Sequence, residues 1–148
     1  AFVGLTVDML SPRLFRCHFD NTICRAVLCA ASGQFNVKIL VIVNASPWGG
    51  SLAVTALRMV RAMVDHGYGI AAVYFREEGV YQALAGRVTD HGTPVLRDAW
   101  LELPGVPLLL CSAASQRRLE GSAAPGFREA GLAEILDLMN TCDRVVTF

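Results

Sequence analysis

Five cysteines are the most reactive side chains of this 148-residue chain: Cys17, Cys24, Cys29, Cys111 and Cys142. The count is odd, and no pair has the C-x-x-C spacing of a zinc or dithiol site. Each thiol must therefore be weighed alone. Cys111 has the most telling position. It ends the apolar run Pro107-Leu108-Leu109-Leu110 and directly precedes Ser112-Ala113-Ala114-Ser115-Gln116-Arg117-Arg118, a stretch that reads as a helix. At such a junction the free N–H groups of the first turn and the helix macrodipole stabilise a thiolate and lower its pKa. The thiolate is the nucleophilic form, so the chemistry indicated is thiol–sulfur exchange. Arg117 and Arg118 add positive charge a turn or two further on. The competing reading of Cys111 is a small apolar residue that finishes a buried strand.

Other candidates carry weaker signals. Cys142 falls between the last helix and the last strand and reads as a buried spacer; it is expected at the opposite strand end from Cys111, a poor place for a resolving thiol. His66 and His91 stand beside glycines in turns and read as solvated. Glu77 and Glu78 are adjacent, so their side chains point to different sides. Ser112 and Ser115 lack the G-x-S-x-G nucleophile elbow. The loop Asn44-Ala45-Ser46-Pro47-Trp48-Gly49-Gly50, followed by Ser51, invites a phosphate-binding reading. It matches neither G-x-x-x-x-G-K-[ST] nor G-x-G-x-x-G, and reads better as a turn that spaces a helix off a sheet. Trp48 is expected to be exposed or at an interface.

The elements that must position Cys111 begin at Val37. Val37–Val43 is a continuous β-branched run, as expected of a strand covered on both faces. Ser51 can cap a helix whose apolar residues Leu52, Thr55, Ala56, Met59, Val60 and Met63 recur at helical spacing, closed by His66-Gly67. Ile70–Phe75 is a second buried strand. A short helix is predicted over Val80–Ala85, another from Thr93-Pro94 to about Leu101. Pro107–Cys111 is the third strand, Ser112–Leu119 a helix, Gly121–Gly126 a loop, Leu132–Met139 the last helix and Asp143–Phe148 a closing strand. Strands alternating with helices imply right-handed crossovers and a doubly wound, mostly parallel sheet with helices on both faces. In such an open α/β sheet, function collects at the carboxyl ends of strands. The Asn44 loop and Cys111 are two such places, and a central pair of strands would bring them close together.

Composition fits one domain of this class. Apolar residues make up 53 % of the chain, yet no uninterrupted apolar run approaches the roughly 18 residues of a spanning helix. The excess is assigned to strands buried on both faces, and no membrane association is expected. Lys plus Arg is 13 and Asp plus Glu is 13. This balance gives no electrostatic reason to expect direct nucleic-acid binding. A core of this size needs no disulfides, which points to reduced thiols and a cytoplasmic address. Residues 1–36 differ in texture: three cysteines, Pro12, scattered arginines and no sustained period. The expectation is that they lie outside the fold, either as translation of an upstream untranslated stretch ahead of a start at Val37 or as a loosely attached extension. Residues 37–148 form the domain.

Within 37–148 the segments Phe75-Arg76-Glu77-Glu78-Gly79-Val80-Tyr81, Cys111-Ser112-Ala113-Ala114 with Arg117-Arg118, Gly126-Phe127 with Gly131-Leu132, and Thr141-Cys142-Asp143-Arg144-Val145-Val146-Thr147-Phe148 resemble, in order, the DsrE/TusD sulfur-relay family. The resemblance implies a flavodoxin-like sheet and a sulfurtransferase in which the cysteine matching Cys111 carries a persulfide, with no cofactor or metal. It also implies assembly with homologous TusC/DsrF-like and TusB/DsrH-like subunits into a heterohexamer of the TusBCD/DsrEFH type. Sulfur would arrive from a TusA-like donor and leave for a TusE/DsrC-like acceptor, toward tRNA wobble-uridine 2-thiolation or toward sulfur oxidation. Two alternatives remain open: a non-catalytic structural or binding subunit of the same fold, and a flavin or nucleotide binder using the Asn44–Ser51 loop.

Overall fold

The computed structural model describes residues 37–86, 96–121 and 123–148. Residues 1–36, with Cys17, Cys24 and Cys29, lie outside the described residues, as do His91, Thr93 and Pro94. Five strands, β1 (Lys38–Val43), β2 (Gly69–Phe75), β3 (Leu108–Cys111), β4 (Phe127–Ala130) and β5 (Arg144–Thr147), form one sheet in the order β4-β3-β2-β1-β5. Every pairing is parallel. The sheet starts with β1, adds β2, β3 and β4 on one side, then the chain returns to lay β5 on the other side of β1. That reversal makes the sheet doubly wound, and the fold is a flavodoxin-like α/β fold.

Side-chain alternation divides β1 between two cores. Ile39, Val41 and Val43 point to one face, with Val73 and Phe75 of β2 and Leu108 and Leu110 of β3. This face is covered by α1 (Leu52–Asp65), a 3₁₀ helix at Glu77–Ala83, α2 (Leu96–Leu101) and α3 (Ser112–Arg118). Leu40 and Ile42 point to the other face, with Ala72, Tyr74, Leu109 and Ala130, under Ile135 of α4 (Leu132–Thr141). Both faces being covered explains why β1 to β3 read as continuous apolar runs.

The local signals explain most elements. In α1, Ala53, Ala56, Leu57 and Val60 are the buried residues, an i, i+3, i+4, i+7 stripe. His66 is its C-cap and Gly67 follows with φ 79°, the left-handed position that glycine takes without steric cost. Ser51 occupies the N-cap, but its hydroxyl makes no capping bond. Its backbone is already helical (φ −88°, ψ −11°) rather than extended, so the side chain is not aimed at the first-turn amides. The Ser51 carbonyl instead accepts both the amide and the hydroxyl of Thr55, each at 2.9 Å.

Two expectations change. The predicted helix at Val80–Ala85 is a 3₁₀ helix that begins earlier, at Glu77. Between the predicted loop and the last helix lies a strand, β4, which the sequence pattern hides. Its Phe-Arg-Glu-Ala sequence places charges at the centre of a four-residue edge strand. Edge strands are blunted in this way against pairing with other chains.

Candidate active site at the carboxyl end of β3

Cys111 is the last residue of β3, paired with Ala130 of β4, and its side chain is partly exposed. It is also the N-cap residue of α3, in an extended conformation (φ −61°, ψ 112°). The sequence-predicted strand-to-helix junction is therefore present.

The register of β2 on β3 sets Tyr74 beside Leu109 and Phe75 beside Leu110. By alternation, Tyr74, Leu109 and Cys111 point to the α4 face, where Cys111 packs on the cluster that contains Tyr74. Tyr74 is buried, and its phenol is near enough to Cys111 for the thiol to act on its ionisation. Arg76, two residues on, acts on the same phenol through its charge. Its guanidinium pairs with the Glu77 carboxylate at 2.8 Å. Glu77 is held in the left-handed region, φ 53°, as the chain turns away from the sheet. The Arg76 amide donates to the Val43 carbonyl at 3.1 Å, which anchors this turn on the end of β1.

Arg117 and Arg118 do not sit at the Cys111 end of α3. Those two lie in the last turn of α3, about 9 Å along the helix axis from Cys111, where they complement the negative end of the dipole. α3 is fixed at its other side by Ser115, a buried residue whose hydroxyl donates to Glu129 of β4 at 2.8 Å. β4 is in turn tied to α4 by the fork between Arg128 and Glu134, one arm at 3.1 Å.

Burial, and then the nearby Cys111 thiol, push the Tyr74 phenol well above the usual tyrosine range; the Arg76 charge offsets this in part. A folded-state pKa above the unfolded one contributes stability that is present below about pH 10 and lost as pH rises through the folded value. Denaturation midpoints of the wild type and Tyr74→Phe, measured from neutral to alkaline pH, are expected to converge above about pH 10. Parallel curves throughout would contradict the buried phenol.

The remaining candidates fall elsewhere. β2 lies between β1 and β3, so the Asn44 loop and Cys111 are not on neighbouring strands, contrary to the expectation that a central pair would unite them. Two strand spacings separate them, roughly 10 Å. Backbone groups of that loop are engaged: the Asn44 amide donates to the Phe148 carbonyl at 2.7 Å, and the Ala45 carbonyl accepts Nε2 of buried Gln82 at 3.3 Å. A cavity of about 230 Å³ against the loop includes Ser46, Trp48, Gly49, Gly50 and Glu78 in its lining. The carboxylate of Glu78 there disfavours a phosphate. Trp48 is 42 % exposed and its ring centroid lies 5.0 Å from that of Tyr81. Cys142 is the C-cap of α4 and precedes the edge strand β5, at the opposite strand end from Cys111, and burial raises its pKa. His66 is exposed, with Nδ1 2.7 Å from the Ala62 carbonyl.

Sequence reasoning did not single out Tyr74 or Arg76. The available signal was Tyr74 itself, the one side chain with a polar tip in the run Ile70–Phe75, since a buried tyrosine hydroxyl usually finds a partner.

Residues 37–148 match the model of the DsrE/DsrF-like family. Among curated proteins, the chain is 30 % identical over 128 residues to a sulfurtransferase TusD homolog from Vibrio vulnificus (strain YJ016), covering 76 % of this chain and 98 % of that one. It is 32 % identical over 130 residues to sulfurtransferase TusD of Salmonella newport (strain SL254), and 34 % to that of Salmonella dublin, each covering 76 % of this chain and all of the relative. Among solved structures, the ychN protein from E. coli superposes with a TM-score of 0.66 at 21 % identity, over 76 % of this chain and 99 % of that one. This last likeness is one of fold.

Proposed function

This chain belongs to the DsrE/DsrF-like family, and from that premise we propose that it is a sulfurtransferase subunit that accepts a sulfane sulfur as a persulfide on Cys111 and passes it to an acceptor cysteine. The observation that carries the reading is the placement of Cys111: a partly exposed thiol at the carboxyl end of a parallel strand, packed on the cluster that contains the buried Tyr74. The Cys111 thiolate attacks the terminal sulfur of a donor persulfide. A new S–S bond forms at Cys111, the donor's S–S bond breaks, and the donor leaves as thiolate with the electron pair. An acceptor thiolate then repeats the exchange on the outer sulfur, and Cys111 leaves as thiolate. Both steps require an accessible sulfur and a surface on which partners can dock, rather than a deep pocket.

The donor is TusA-like and the acceptor TusE/DsrC-like, in a reducing cytoplasm. The sulfur goes to tRNA wobble-uridine 2-thiolation or to sulfur oxidation. The chain assembles with TusC/DsrF-like and TusB/DsrH-like subunits in a heterohexamer. Apolar surface suited to such an assembly is present: on α4, Leu132 is 73 % and Leu136 49 % exposed, and Val145 projects from the edge strand β5.

The test is to incubate the assembled protein with a cysteine desulfurase, cysteine and a TusA-like carrier, then to measure intact mass and map the modified peptide. One added sulfur on Cys111, removed by DTT, is expected. No gain in the assembled complex, or a gain mapped to another residue, overturns the proposal.

A further inference from the structure

We infer that the cleft between the Asn44 loop and the turn after β2 seats an arginine side chain of the protein that exchanges sulfur with Cys111. The inference rests on Cys111 being the sulfur carrier, and it names a feature by which the site selects its partner.

The cleft is small, and three kinds of wall enclose it. It holds about 230 Å³ and lies between the carboxyl ends of β1 and β2. That is below the roughly 300–1,000 Å³ of pockets that take drug-sized ligands, and it suits a single side chain. The loop after β1 contributes the Trp48 ring, α1 contributes Leu52 from its first turn, and the 3₁₀ helix contributes the Glu78 carboxylate. The Trp48 ring leans on that of Tyr81, which holds the aromatic wall in place. Ser46 fixes the loop from within, its hydroxyl donating to the Trp48 carbonyl at 2.8 Å.

Charge decides what such a cleft accepts. Glu77 is paired with Arg76, so those two charges offset each other, whereas Glu78 takes part in none of the ion pairs among the described residues. Two further acceptors stand beside the lining. Gln82, whose Nε2 donates to the Ala45 carbonyl, and Asn44, the residue before Ala45, each bury a side-chain oxygen that has no hydrogen bond among the described residues. An anion is repelled here, and a neutral apolar group leaves the carboxylate unpaired. A guanidinium suits both walls: it only donates, it pairs with a carboxylate through two N–H groups, and it stacks flat on an indole. A lysine ammonium offers the charge without the flat face.

Position decides whose arginine it is. The strands are parallel, so the cleft opens at the same carboxyl edge as Cys111, two strand spacings away, roughly 10 Å. A protein that brings its cysteine to Cys111 covers this edge. Leu52 and Met59, two turns apart on α1, are both exposed, so apolar surface continues outward from the cleft. Arginine and aromatic anchors seated in pockets carry most of the energy of protein interfaces. The cleft therefore reads a basic residue about 10 Å from the partner's reactive sulfur.

Trp48 reports on its own cleft. The chain has two tryptophans and the other, Trp100, is fully buried, so acrylamide quenches mainly Trp48. In the full chain, millimolar N-acetyl-arginine amide is expected to reduce that quenching. N-acetyl-citrulline amide, of the same shape without the charge, is expected to leave it unchanged. In sulfur transfer by the assembled protein, Glu78→Gln is expected to raise the KM for the TusA-like donor or the TusE/DsrC-like acceptor about tenfold, with a smaller change in kcat. Asp65→Asn, which removes the same charge from the far end of α1, should transfer like the wild type. Equal protection by both amides, or none by either, overturns the cleft as an arginine site. Protection by arginine with unchanged KM for both protein partners overturns the docking role and leaves a site for small cations. If Glu78→Gln folds poorly, Trp48→Leu, which keeps apolar bulk and removes the indole, decides the KM test. Failure of wild-type Cys111 to load from the donor overturns the carrier reading instead, and the quenching experiment still decides the cleft.

Discussion

Cys111→Ser is expected to abolish sulfur delivery to an acceptor cysteine, leaving only the background of the donor alone, while Cys142→Ser delivers at the wild-type rate. A serine hydroxyl stays protonated at neutral pH and forms no persulfide, so neither exchange step has a nucleophile. The fold should survive, because Cys111 is partly exposed at the end of a strand; a cost of about 1 kcal/mol is expected for such a site. Cys142 cannot substitute. It lies at the opposite strand end, between α4 and the start of β5. Burial and then Asp143 raise its pKa, only partly offset by Lys38, so it holds less thiolate than an ordinary cysteine. Measuring labelled sulfur on the acceptor with the two variants side by side checks this. Delivery retained by Cys111→Ser would remove Cys111 from the relay, and loss in Cys142→Ser would give Cys142 a part in it.

Much of the fold was legible because its sheet is parallel and covered on both faces. That condition writes itself into sequence as uninterrupted apolar runs, and Lys38–Val43, Gly69–Phe75 and Leu108–Cys111 were all readable as such. The hidden strand, Phe127–Ala130, sits at an edge where only Ala130 is buried. Nothing in Phe-Arg-Glu-Ala distinguishes it from a loop, because its pairing is imposed by β3 rather than by its own propensity. The 3₁₀ helix at Glu77–Ala83 was displaced for a similar reason. Its start is fixed by a tertiary bond, Arg76 to Val43, and by the positive φ of Glu77.

The site was legible only along the chain. The position of Cys111 at a strand end before a helix can be read from its neighbours. Its buried neighbour Tyr74 comes from 37 positions upstream, and it shares a face with the thiol only because β2 pairs with β3 in one particular register. The arginines that sequence proximity suggested are carried away from the thiol by the rise of α3. Strand order likewise separates the Asn44 loop from Cys111, since β2 intervenes. Spacing in sequence identifies the nucleophile; register and strand order choose its surroundings.

That dependence on register makes the turn after β2 critical, and Gly79→Ala is expected to cost more than about 3 kcal/mol, beyond the usual range for an overpacked site. A Cβ built on Gly79 would lie 2.1 Å from the carbonyl oxygen of Val43 and 2.9 Å from its carbonyl carbon. The obstacle is backbone, not the end of a flexible side chain. Nor can it retreat, because Val43 ends a strand paired on both sides and its carbonyl accepts the Arg76 amide. The Gly79 amide itself donates to the Arg76 carbonyl at 2.9 Å. A domain with a total stability of about 5–15 kcal/mol would lose a large share of it, seen as a lower Tm and poor yield of soluble protein. Gly50→Ala is the matched control, as a Cβ there meets nothing within 4 Å; its effect should stay within about 0.5 kcal/mol. Equal Tm values for the two variants would mean that the turn does not rest on β1 as described.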